Sequence, residues 1–113
     1  MQVYVREEVL KHTATADLAS AAMAETTSFG KPWQLLAVLI KFDASSSNTI
    51  TITRDTSTGA SYDTIIKLET LSSATDFSWR PDNEYLDTSD EIKVQINKTG
   101  SANAYLTIVG KEL

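Results

Sequence analysis

The sequence predicts an all-β fold: a single-domain antiparallel β-sandwich, jelly-roll-like, built from about eight short strands. Three observations predict it. Asn48-Thr49-Ile50-Thr51-Ile52-Thr53-Arg54 and Glu91-Ile92-Lys93-Val94-Gln95-Ile96 alternate polar and apolar residues, the mark of a strand with one wet face. Turn signals rich in Gly, Pro, Asn, Asp and Ser recur roughly every eight to twelve residues. The most apolar stretch, Trp33 to Phe42, is cut off by Pro32 before it and by Asp43-Ala44-Ser45-Ser46-Ser47-Asn48 after it. Its length and flanking breakers favour a strand, and its near-continuous apolarity favours burial on both faces.

The elements follow in chain order. Gln2-Val3-Tyr4-Val5 alternates and reads as a short strand, with Arg6 to Lys11 charged behind it. Residues 1–13 are therefore expected as an N-terminal arm or an edge strand, and residues 14–113 as the sandwich. Thr13 to Thr27 is Ala-rich, which favours helix, and Asp17 is suited to cap one. Against that, Ala16, Leu18, Ala22, Ala24 and Thr26 share one strand face, and strand is the expectation here. Phe29-Gly30-Lys31-Pro32 is a turn. Trp33 to Phe42 is the central strand, Ser45 to Asn48 a polar loop, and Ile50 and Ile52 point into the core from the next strand. Asp55-Thr56-Ser57-Thr58-Gly59 forms a loop with Gly59 at positive φ. Ser61 to Leu71 is the partner strand, its apolar residues being Tyr62, Ile65, Ile66 and Leu68. Asp76-Phe77-Ser78-Trp79 alternates, Arg80-Pro81-Asp82-Asn83 turns, and Tyr85-Leu86 is a short extended piece. Asn97-Lys98-Thr99-Gly100-Ser101 turns into a last strand, Ala104 to Val109.

Composition bounds the function. A chain of 113 residues is one domain. Its net charge of −5 and pI of about 4.7 speak against a nucleic-acid groove, which needs clustered Lys and Arg. The longest apolar run is about half of a membrane span, and no signal-peptide pattern opens the chain, so no membrane partner is expected. There is no cysteine, which excludes a disulfide framework, a thiolate metal site and a Cys nucleophile.

The candidates for chemistry are few. His12 is the only histidine and sits in a polar stretch with no Gly-x-Ser-x-Gly elbow, so a Ser-His-Asp triad has no support. Zinc or non-haem iron needs more ligands of that kind when cysteine is absent. Asp82, Glu84, Asp87, Asp90 and Glu91 form an acidic cluster suited to a hard cation, but no Asp-x-Asp-x-Asn-Gly pattern is present and a solvated turn is the expectation. Neither a catalytic residue, a metal nor a cofactor is expected, and the chain is read as no enzyme. Trp33, Trp79, Tyr62, Tyr85 and Tyr105 are the residues a sugar-stacking platform would use, although both tryptophans fit core packing better. Asn97-Lys98-Thr99 matches a glycosylation sequon, which has meaning only in a eukaryotic secretory setting.

Five stretches carry a resemblance: Gly30-Lys31-Pro32-Trp33-Gln34-Leu35-Leu36, Asn48 to Asp55, Gly59-Ala60-Ser61-Tyr62-Asp63-Thr64-Ile65, Phe77-Ser78-Trp79-Arg80-Pro81-Asp82, and Asp90-Glu91-Ile92-Lys93-Val94. Over roughly residues 16–110 the chain resembles small β-sandwich virion structural proteins of tailed bacteriophages, of the capsid-decoration, neck or tail accessory type. Related sequences often read Gly-Asp before the last-but-one strand, where this chain has Ser89-Asp90. The resemblance implies a virion protein made in the host cytoplasm, a capsid decoration (cement) or minor head protein. It implies a homo-oligomer, a trimer among the orders it admits, bound to the major capsid protein or another virion protein. The alternative is a carbohydrate- or host-surface-binding module of a tail or fibre. Expected contacts with subunit or particle are Val3, Tyr4, Val5 and Arg6 on the arm, Thr56 and Ser57 on the Asp55–Gly59 loop, and Asp82, Asn83 and Tyr85 on the Asp82–Asp90 loop.

Overall fold

In a computed structural model, which describes residues 9–98, 100 and 102–113, the described residues form nine strands and one short 3-10 turn. The strands are β1 (Val9–Asp17), β2 (Met23–Thr27), β3 (Trp33–Ser46), β4 (Thr49–Asp55), β5 (Thr64–Thr70), β6 (Ala74–Trp79), β7 (Tyr85–Leu86), β8 (Glu91–Ile96) and β9 (Asn103–Glu112). One sheet has the order β1-β9-β3-β6, with β7 paired to the start of β3, and the other has the order β2-β8-β4-β5. Every pairing is antiparallel. Setting the two-residue β7 aside, successive strands switch between the sheets except at the β4–β5 hairpin, which is the jelly-roll order. The fold class is the one the alternation predicts.

The core lies between the two inner faces. From β3 it takes Trp33, Leu35, Val38, Ile40 and Phe42; from β4 Ile50 and Ile52; from β8 Ile92, Val94 and Ile96; from β9 Leu106 and Ile108. Period-two alternation alone puts the residues of β4 and β8 there. In β3 the alternation breaks once. Its register against β9 shifts between Leu35 and Ala37, so that Ala37 and Val38 are both buried. This bulge lets one strand keep its apolar side inward at both ends.

Four expectations are corrected. The central strand is covered on one face only: Leu36 and Leu39 lie on the outer face and are partly exposed. The strand is also longer than expected and takes in Ser45 and Ser46. Thr13 to Thr27 is neither one strand nor a helix but the end of β1, a turn at Leu18–Ser20, and β2. Asp17 Oδ1 accepts the Ala19 N–H at 3.0 Å and Oδ2 accepts the Ser20 hydroxyl at 3.0 Å, so Asp17 closes a turn with the chemistry it would use as a helix cap. Leu18 is fully buried there and plugs that end of the core.

The last correction concerns β5, expected over Ser61 to Leu71 and found over Thr64–Thr70. Of Tyr62, Ile65, Ile66 and Leu68, only Ile66 packs against the core. The β4–β5 register shifts between Ile52 and Thr53, pairing Thr53 with Ile65 and Thr51 with Leu68. Both threonines are on the outer face, and the shift carries Ile65 and Leu68 out with them. Tyr62 stands on the 3-10 turn Ala60–Tyr62 before the strand.

Candidate functional site

Two of the predicted contact loops meet at one end of the sandwich. The end is built by the close of β4, the start of β8 and the start of β3, with Asp55 paired to Glu91 and Gln34 to Tyr85. Asp90 is the tie. It is only 6% exposed, and its Oδ1 accepts the Ser57 backbone N–H at 3.1 Å and the Ser57 hydroxyl at 3.3 Å. The Arg54 guanidinium donates to its Oδ2 at 3.4 Å and also reaches Glu84 at 3.8 Å. The Ser57 N–H holds the Asp90 carboxyl below the usual carboxylate range; burial opposes this, and the Ser57 hydroxyl and Arg54 add to it.

The Asp55–Gly59 loop is pinned twice more. Asp63 Oδ1 accepts the Thr56 N–H at 2.9 Å. The Tyr62 N–H donates to the Gly59 carbonyl at 2.9 Å, and Gly59 takes the predicted positive φ, here 139°. On the other side the Gln34 amide donates to the Asp82 carbonyl at 3.3 Å and the Leu35 N–H to the Glu84 carbonyl at 2.8 Å. The Ser28 hydroxyl donates to the Thr88 carbonyl at 3.0 Å.

Of the expected contact residues, Ser57, Asp82, Asn83 and Tyr85 are exposed at this end, and Thr56 is half-buried. Val3, Tyr4, Val5 and Arg6 lie outside the described residues. β1, at Val9, enters the same end, since Val9 pairs with Lys111 and Lys111 with Gln34. Reading along the sequence did not reveal Arg54 and Asp90 as partners. They are 36 residues apart, and no local pattern marks the pair.

The acidic cluster does not converge on a cation. Asp90 and Glu84 both face Arg54, and among the described residues no group of three or more His, Asp or Glu side chains is placed to hold a metal ion. His12 is paired instead with Glu25, Nε2 to Oε1 at 2.6 Å, linking β1 of one sheet to β2 of the other.

The aromatic residues do not form one platform. Trp33 is fully buried and Trp79 packs against the core. Tyr85 and Tyr105 share the outer face of the β1-β9-β3-β6 sheet, but Tyr105 lies six residues along β9 from Lys111, which neighbours Tyr85 through Gln34. That separation is about 20 Å. Tyr62 stands on the 3-10 turn before β5, a strand of the other sheet.

A different apolar feature runs beside the loop end. Tyr62, Ile65 and Leu68 are 66%, 57% and 61% exposed. They lie on or just before β5, which among the described residues pairs only with β4 and forms one edge of its sheet. Natural edge strands are usually blunted by charge, proline or a covering loop, because an open apolar edge invites pairing.

No protein-family model matches the sequence, and no curated protein matches it. Among solved structures the chain is similar to PirA, with a TM-score of 0.51 and 15% identity over 96% of this chain and 95% of that chain. It is similar to the Yersinia pseudotuberculosis-derived mitogen, with a TM-score of 0.51 and 10% identity over 96% of this chain and 88% of that one. The infectious bursal disease virus VP2 protein also matches, with a TM-score of 0.34 and 15% identity, covering 36% of that chain. At such identities the likeness is one of fold: over 96% of its length, this chain shares the β-sandwich of PirA and the mitogen.

Proposed function

We propose that this chain is a structural virion protein of a tailed phage, a capsid decoration or minor head protein that oligomerises and binds the particle. The sequence resemblance supports the phage part of this reading. The single observation that carries the binding part is the Tyr62–Ile65–Leu68 strip on the edge strand β5. It adjoins a loop end whose polar side chains are already engaged with one another, Asp90 with Ser57 and Arg54, and Asp63 with Thr56. A surface of that kind suits docking by shape and strand addition more than it suits chemistry.

The test is co-sedimentation of the purified chain with heads of the encoding phage grown without it. Binding is expected for the parent chain. Ile65→Lys with Leu68→Lys should lower head occupancy at least tenfold while the fold is retained. A chain that stays in the supernatant at saturating concentration sinks the reading, and unchanged binding by the double variant removes β5 from it.

A further inference from the structure

The outer face of the β1-β9-β3-β6 sheet carries a second unpartnered surface. Its centre is apolar: Leu36 and Leu39 of β3 and Val109 of β9 are each partly exposed. A hollow of about 350 Å³ beside them is lined by Leu39, Lys41, Asp76, Ser78, Tyr105 and Thr107. The near-continuous apolarity of β3 is the pattern of a strand covered on both faces, yet the described chain covers one.

The charges on this face are segregated. Lys11, Lys111 and Arg80 stand toward the loop end. Asp17, Asp43 and Asp76 stand toward the other, with Lys41 in register with Asp76. The row Thr13–Thr107–Leu39–Ser78 crosses the middle. Along the β6 side, Asp76 and Ser78 are exposed, and the exposed Arg80, one residue past the end of β6, continues their phase, so Arg80 and Asp76 are spaced evenly about Ser78.

We infer that this face binds the same face of a second copy, about a two-fold axis running across the strands along the Thr13–Thr107–Leu39–Ser78 row. That axis inverts the strand direction, so the basic end of one copy meets the acidic end of the other, and Arg80 meets the second copy's Asp76. An axis along the strands would set basic end on basic end, which costs energy. The two-fold also makes the contact isologous, so it closes at two copies. Four strands about 4.8 Å apart and about 30 Å long present roughly 600 Å² per copy. This is near the lower limit for a specific interface, so a reversible dimer is expected. The inference deepens the oligomerisation in the reading above and does not rest on the particle.

Sedimentation equilibrium of the full chain between about 1 and 300 µM tests it, in low and high salt. A monomer–dimer equilibrium weakened by salt is expected. Leu39→Lys should weaken it at least tenfold; Thr107→Arg, on the same row, replaces it if circular dichroism shows Leu39→Lys unfolded. Arg80→Glu and Asp76→Arg should each weaken the dimer, and the two together should restore it. A monomer at every concentration overturns the inference, as does a trimer or a dimer indifferent to the central-row variants. Each of these results is obtained without phage heads and leaves the head-binding test untouched.

Discussion

Gly110 and Trp33 are packed so closely that a Cβ on Gly110 would lie 2.6 Å from Cε3 of the Trp33 ring. Phe29 closes the same pocket, edge-on to Trp33 with ring centroids 4.7 Å apart. The absence of a side chain on β9 is thus what lets the indole lie in the core. Gly110→Ala should destabilise the protein by about 2–3 kcal/mol through overpacking. Urea unfolding measures it. Adding Trp33→Phe, which removes the obstructing ring, should make the Gly110→Ala cost smaller than it is in the parent; equal costs would mean the two do not share that space.

Asp90 should give the protein an acid-sensitive step. Its carboxyl titrates below the usual carboxylate range when folded, so its contribution is present above the unfolded value of about 3.9 and is lost as pH falls through the folded value. Asp90→Asn should lower stability at pH 7 by about 1–2 kcal/mol. It should also flatten the loss of stability on acidification. Chemical unfolding at several pH values between about 7 and 2.5 reads both effects.

At the opposite end, Asn48 is almost fully buried and holds three segments together. Its Nδ2 donates to the Asn97 carbonyl at 3.1 Å, its Oδ1 accepts the Ser46 hydroxyl, and its own carbonyl accepts the Leu71 N–H at 2.7 Å. Asn48→Asp sets a buried carboxylate against the Asn97 carbonyl and should cost about 3 kcal/mol or more at neutral pH. Thermal unfolding tests this, and an Asn48→Asp protein as stable as the parent would show that the amide N–H is not needed.

His12 and Glu25 join the two sheets, but each side chain is about one-third exposed, 31% and 32%. Solvent screens such a pair, so the coupling energy should stay under about 1 kcal/mol in a double-mutant cycle with His12→Ala and Glu25→Ala. A larger value would mean that the sheets depend on this clasp.

Much of this architecture is legible along the chain, because alternation is a local property. Ile50 and Ile52, and Ile92, Val94 and Ile96, needed nothing more. The errors arise where one residue shifts the phase. The slip between Ile52 and Thr53 turns Ile65 and Leu68 outward, and the bulge at Leu35–Ala37 leaves the neighbours Ala37 and Val38 both buried. Neither leaves a mark in composition. Asp17 shows a subtler limit: the same carboxylate chemistry caps a helix or closes a turn, and the choice depends on Leu18 finding a place in a distant core. In the candidate site, exposure and loop position picked out Ser57 and Asp82. The Arg54–Asp90 bond that fixes their loops depends on tertiary contact and could not be read in advance.

The position of β9 sets the order in which the molecule can assemble. It is the last of the described strands, yet it lies between β1 and β3, and β8 lies between β2 and β4 in the other sheet. Among the described strands, only β4 and β5 are neighbours both in a sheet and in sequence and can pair as a hairpin. A nascent chain emerging from the ribosome thus holds β1 and β3 with the gap between them unfilled until β9 is free. Pairing strands this far apart in sequence makes folding slow for the chain's size, on the order of milliseconds to seconds.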